Sequence, residues 1–203
     1  MVELICSPSF TLLLITIALK MNFNNLSDMI PLDLASEVLS LLETHHLPKK
    51  HLLHREGRIC RHIYLIQKGV ARTFFYKEGK DITVHIAAEG ELITAIDSVI
   101  SLKRSRYNVE LLEDSEVHAL SYQALHSLLE KHPHYEKYMR LILEQLYAEG
   151  ADRIEEFLFY SAKERYDNLM NNKPGLLNRV NLGHIASYLG ITQETLSRIR
   201  KSP

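Results

Sequence analysis

Gln193, Glu194, Ser197, Arg198 and Arg200 fall in one run near the end of this 203-residue chain. The apolar residues among them, Leu196 and Ile199, are three apart, the spacing that puts two side chains on one face of a helix. With that face turned inward, the amide, carboxylate, hydroxyl and guanidinium groups look outward. These are the groups that read base edges in a DNA major groove or hold backbone phosphates. Thr192 stands where an N-cap is needed, and Lys201 extends the cationic end. An ordinary helical hairpin with a solvated polar face would show the same residue types.

The stretch just upstream distinguishes the two readings. Ile185, Ala186 and Leu189 mark a short helix that stops at Gly190, and Gly190 sits where a tight turn requires positive φ. Ala186 is small enough to let two helices cross closely. A short helix, a glycine turn and a polar, basic second helix together make a helix-turn-helix that binds duplex DNA. The whole chain carries a net charge of only −1, so the basic footprint must be local. It is local: Val180–Pro203 holds Arg198, Arg200 and Lys201 against the single acid Glu194.

Composition removes several other classes. A hydrophobic fraction of 46% and a charged fraction of 24% suit a globular protein with real cores. The two cysteines, Cys6 and Cys60, are too few for a disulfide framework or a four-cysteine iron–sulfur cluster. The chain has eleven histidines. His45, His46, His51, His54 and His62 crowd one segment, yet no carboxylate or thiolate spacing completes a metal site. No nucleophile elbow, phosphate-cradling glycine loop or metalloprotease helix is present, so the chain does not read as an enzyme. Phe10–Leu19 is apolar but shorter than the roughly 20 residues that span a bilayer. No Lys or Arg precedes it, as a signal peptide would require. It reads as an added packing element or as residues upstream of a start at Met21, and the protein as cytoplasmic, without a membrane partner.

The elements that must position the terminal helices change period along the chain. Leu34, Val38, Leu41 and Leu42 predict a helix over Pro31–Leu47, ending near Pro48. From Leu52 to Leu120 the apolar runs are short, β-branched or aromatic, and punctuated by Gly57, Gly69, Gly79 and Gly90. They predict an antiparallel double-sheet domain. Ala124–Leu129 then predicts a short helix, and Tyr135–Leu158 a long one with an apolar stripe. Ser161-Ala-Lys-Glu164 is a capping box that opens a fresh helix. Four segments follow: residues 1–30, an extension of uncertain role; 31–134, an effector-type β-domain; 135–160, a long helix; and 161–203, the DNA-binding domain.

This order of parts resembles the Crp/Fnr family of bacterial transcription regulators over roughly Leu34 to Lys201. Ile185–Arg200 is its most specific piece. Leu65-Ile-Gln-Lys-Gly69, Gly79-Lys-Asp-Ile82 and Ala162-Lys-Glu-Arg-Tyr166 resemble a Bacteroidetes-type branch. The resemblance implies an α+β fold: a cyclic-nucleotide-binding-type β jelly roll, a homodimer joined along the long helix, and a C-terminal winged helix-turn-helix. It places Gln193, Glu194, Ser197 and Arg198 in the major groove, and any wing around Leu176–Val180.

The resemblance also implies an effector pocket. Cyclic-nucleotide binders of this family use a Gly-Glu-Leu corner for the ribose and a later Arg-Ser or Arg-Thr pair for the phosphate. Here Gly90-Glu91-Leu92 gives the corner. Counting back from Glu116-Val117, the usual Arg position falls on Ser105, between Arg104 and Arg106. Arg104-Ser105 supplies the pair only if the loop is one residue longer. The residues therefore leave open a cyclic nucleotide, another small-molecule effector or none. Two further readings stay open: a cyclic-nucleotide-responsive sensor, and a protein-interaction module without DNA binding.

Overall fold

The structure is a computed structural model that describes residues 31–201; the expectations for residues 1–30 lie outside it. Helix α1 (Leu32–Ser40) leads into strands β1 (Leu42–Leu47), β2 (Leu52–His54), β3 (His62–Lys68), β4 (Ala71–Lys77), β5 (Lys80–Ala87) and β6 (Leu92–Ile93). The four-residue helix α2 (Ile96–Val99) precedes β7 (Asn108–Leu111) and β8 (Ser115–Ser121). Helices α3 (Tyr122–Lys131), α4 (Glu136–Phe159), α5 (Ala162–Asn172), α6 (Leu182–Tyr188) and α7 (Gln193–Lys201) complete the chain.

The strands form two four-stranded antiparallel sheets, ordered β1-β8-β3-β6 and β2-β7-β4-β5. Ile66, Ile93, Val99, Val109 and Val117 belong to the core packed by both sheets. The expected helix over Pro31–Leu47 is corrected in its second half. It stops at Ser40, and Leu42–Leu47 pairs with β8 from Leu42↔Leu120 to Leu47↔Ser115. Thr44, His45 and His46 are weak helix formers, and the exposed side of β8 supplies ladder partners that a helix could not use. Helix α1 instead packs through Leu34 on Leu128 and on Tyr135.

The C-terminal helices are not a separate ball. Leu169, Leu176, Val180, Ile185, Ala186, Leu189 and Leu196 share one buried cluster with Val70, Ile86 and Leu112 of the β-domain. Strand β4 explains why: Ala71, Arg72, Thr73 and Phe74 are all buried. A strand alternates its side chains between two faces, so both faces of this one are covered. The inner face meets the opposing sheet, and α6 contributes to covering the outer one, where His184 meets Arg72. No strand follows β8 among the described residues, and Leu176–Asn178 is a 3₁₀ turn with Leu176 and Val180 buried. The place expected for a wing is therefore taken up by core packing.

Candidate functional site

The two terminal helices are joined as their sequence demands. Ile191 N–H donates to Ala186 C=O at 3.0 Å and Gly190 N–H to Ser187 C=O at 3.0 Å, with Gly190 at φ +68. That is the Schellman arrangement, which needs a left-handed residue after the helix end. A Cβ on Gly190 would also lie 2.8 Å from Phe157 Cε1, so the position combines a special backbone with a close approach. Thr192 caps the next helix: its hydroxyl accepts Thr195 N–H at 3.2 Å.

Helix α7 buries one residue, Leu196. Ile199 is half-buried, as is Ser197, whereas Thr192, Gln193, Glu194, Arg198, Arg200 and Lys201 are exposed. Arg198 donates to the Thr195 hydroxyl at 3.3 Å. The Glu194 carboxyl is held below its usual range by its own backbone N–H, then by the Thr192 hydroxyl, as an acid in the first helical turn should be. The seven residues expected at a DNA interface thus share one short element and its cap, and none is fully buried.

Two sets of contacts fix this element to the body. Arg153, near the end of α4, donates to the Tyr188 carbonyl, and Arg165 Nε, from α5, donates to the Leu189 carbonyl at 3.1 Å. Both guanidinium groups lie over the Phe157 ring, at 4.5 and 5.2 Å from its centre. These cations meet the carbonyl end of α6, where positive charge is favoured. On the β-domain side, Ser187 Oγ accepts Thr83 N–H at 2.9 Å, and Arg72 Nη1 lies 2.9 Å from His184 Nδ1. Arg72 also donates to Asp81 at 2.6 and 2.7 Å and to Glu110 at 3.0 Å. Burial, then the Arg72 charge, pushes the His184 imidazole below its ordinary value.

A second group of ion pairs lies on the same seam. Arg179 pairs with Glu89 and Glu113, and Lys173 Nζ lies 2.6 Å from Glu91 Oε2. The Arg179 hydrogen bonds bring the Glu89 carboxyl down to about 2. Arg72, Arg153, Arg165 and Arg179 carry much of this architecture without a motif to announce them. One signal was visible in advance: an arginine inside the apolar strand run Val70–Tyr76 must find carboxylates when it is buried.

The residues expected to form an effector pocket are not gathered into one. Gly90 is buried at a turn, its N–H donating to Ile66 C=O at 2.8 Å, and Leu92 pairs with Leu65. The Glu91 carboxylate accepts Ala88 N–H at 3.0 Å as well as Lys173, so it faces the helical side. The cleft beside it, about 280 Å³, is lined by Glu89, Lys173, Pro174, Leu176 and Arg179 among others, and by none of Arg104, Ser105 and Arg106. Arg104 is exposed and donates to Gly57 C=O at 2.8 Å, and the Arg106 guanidinium lies 5.0 Å from the Tyr107 ring centre. Ser105 is buried and donates to Asp97 Oδ1 at 2.7 Å. Among the described residues no cluster of three or more His, Cys, Asp or Glu is placed to hold a metal ion. No described helix is long and apolar enough to cross a membrane.

Helix α4 runs 24 residues, about 36 Å, and none of them is buried. Leu143, Tyr147, Ile154 and Leu158 are all more than half exposed. An apolar series this long is unusual on an isolated surface.

Comparison with known proteins agrees with this architecture. No curated protein matches the chain by sequence. FixK2 from Bradyrhizobium japonicum has a similar structure, with TM-score 0.67 and 15% identity over 78% of this chain and 82% of that one. A CooA variant from Carboxydothermus hydrogenoformans gives 0.60 and 19% over 80% and 76%. The catabolite activator protein of Thermus thermophilus gives 0.50 and 22% over 81% and 79%. Residues 44–132 match the cyclic nucleotide-binding domain family. The chain therefore carries a cyclic nucleotide-binding-type β-domain within an α+β fold shared with Crp/Fnr regulators.

Proposed function

We propose that the protein is a homodimeric, sequence-specific DNA-binding transcription regulator of the Crp/Fnr type, within its Bacteroidetes-type branch, acting in the cytoplasm. One observation carries the reading: α7 exposes Gln193, Glu194, Arg198, Arg200 and Lys201 around a single buried anchor, Leu196. Helices α6 and α7 act as a helix-turn-helix, with α7 lying in a major groove. The exposed apolar residues of α4 pair with the same helix of a second copy, and the two α7 helices then sit about 34 Å apart, one turn of duplex. A near-palindromic operator follows from that two-fold symmetry. The tie from Arg153 to the carbonyl end of α6 makes α4 the ruler that sets the spacing.

The test is selection of bound duplexes from a random pool by the purified full chain. The expected result is an enriched inverted repeat with half-sites about 10 bp apart. Binding should also weaken steeply as salt is raised, because phosphate contacts release counterions. Recovery of no preferred sequence, together with no salt-dependent duplex binding, would overturn the proposal. A protein-interaction module would give that second pattern.

A further inference from the structure

We propose that Asp97 is the resident anion of the β-domain, filling with its own carboxylate the donor set that a cyclic nucleotide's phosphate would need, so that the domain closes without a nucleotide. Asp97 lies in α2. Its Oδ1 accepts the Ser105 hydroxyl at 2.7 Å and its Oδ2 accepts Arg106 N–H at 3.1 Å. A hydroxyl and a backbone N–H converging on the two oxygens of one carboxylate are what any small anion would seek here. Both are taken.

The surroundings hold this arrangement closed. Ser105 is only 3% exposed, and its Oγ also accepts Tyr107 N–H at 2.9 Å. A hydroxyl has one proton to give, and that proton goes to Asp97. Ser105 is tied from both sides of its backbone: its N–H donates to Arg58 C=O at 2.9 Å and its C=O accepts Gly57 N–H at 2.7 Å. Buried Ser98, next to Asp97, accepts Cys60 N–H at 2.8 Å and donates to the Lys103 carbonyl. Ser101 returns to the Asp97 carbonyl at 2.5 Å, and Leu102 turns the loop at φ +54. The loop is thus wrapped on α2 by its own polar groups.

A cyclic nucleotide does not fit what remains. Its phosphate would need to displace a carboxylate tethered at the same donors, and the two negative charges would then repel at short range. Neither neighbouring guanidinium is aimed at the cradle: Arg104 bonds Gly57 C=O, and Arg106 lies over Tyr107. At the other end, Glu91, the residue expected to take a ribose hydroxyl, is held by Lys173 and Ala88 N–H. The proposal concerns the β-domain alone and stands whether or not α7 binds a duplex.

The experiment is calorimetry of the full chain with cyclic AMP and cyclic GMP, combined with thermal unfolding of Asp97→Gly and Asp97→Asn. The wild type should give no binding heat with either nucleotide at millimolar concentration. Asp97→Gly should melt about 6–12 °C lower, the low end of the loss expected for two hydrogen bonds to a charged group in a chain of this size. Sodium formate or acetate should restore part of that loss, sodium chloride of equal ionic strength should not, and the wild type should respond alike to all three. If Asp97→Gly does not fold, Asp97→Asn must still melt below the wild type, because a neutral amide replaces the charged acceptor of both hydrogen bonds. Micromolar binding of either nucleotide by the wild type would overturn the proposal. So would an Asp97→Gly protein, or in its place an Asp97→Asn protein, that melts with the wild type.

Discussion

Helix α7 and the seam between α6 and the β-domain are built from the same kinds of residue, arginine beside acid beside hydroxyl, and they behave in opposite ways. On the seam, Arg72 is 3% exposed and spends its donors on Asp81, Glu110, Thr83 and His184. On α7, Arg200 and Lys201 stand in solvent around Leu196, which is fully buried. The difference is where the partner lies. Inside the chain, a cation with its carboxylates is architecture; outward on a short helix, it stands in solvent and, in the proposed reading, meets a duplex.

The comparison breaks most visibly at Arg72. Arg72→Ala leaves Asp81 and Glu110 partly buried without their cation and removes the group facing His184. It should cost about 3 kcal/mol in denaturant unfolding, the low end for a buried pair because both carboxylates keep some exposure. Arg200→Ala in the same assay should fall within about 0.5 kcal/mol of the wild type. Equal effects would mean that the two regions do not differ as described.

Arg198→Ala sharpens the other side. It should leave the unfolding midpoint in place and cost about 1–3 kcal/mol of affinity for the selected duplex, measured by titration at fixed salt, if the guanidinium reads a base. An equal loss on all sequences with a shallower salt slope would make it a phosphate contact instead. Gly190→Ala belongs to both regions, since the turn joins α6, which packs on the seam, to α7. An L-residue at φ +68 next to Phe157 should cost about 1–2 kcal/mol of stability. It should also weaken duplex binding by tilting α7, which binding assays on the folded fraction would detect.

These features were unequally readable beforehand, and the reason is the range of the interactions. The Schellman turn at Gly190, the Thr192 cap and the Ser161 capping box are satisfied within a few residues, so the pattern of residue types carries them. The long helix, read as Tyr135–Leu158 and found at Glu136–Phe159, is equally local. Strand β1 was misread because Leu34, Val38, Leu41 and Leu42 continue a helical spacing that only pairing with β8, 68 to 78 residues on, interrupts. The Arg72–His184 contact spans 112 residues and leaves no trace in either segment. Asp97 escaped for another reason. Ser105 was read as standing where the usual phosphate-binding arginine falls, and nothing in the residue types says that an aspartate eight positions earlier takes its hydroxyl.

The smallest effect concerns pH, and it reports on the seam alone. His184 Nδ1 faces the Arg72 guanidinium, with Asp81 and Glu110 as the nearby acids. Arg72 can only donate, so the contact needs a neutral imidazole, and the folded state holds His184 below the ordinary imidazole value of 6.5. An unfolded chain binds the proton more readily, so this contribution is complete above about pH 6.5 and declines as pH falls below it. His118 is also lowered, by burial, and acts in the same direction, so the wild type alone cannot assign the change. The difference between wild type and His184→Gln can, because His118 is common to both. Unfolding midpoints of the two proteins should run parallel above neutrality and converge or cross as the pH is lowered through 6 to 5, the wild type losing more. Curves that stay parallel throughout would mean that the imidazole takes no part in holding α6 on the sheet.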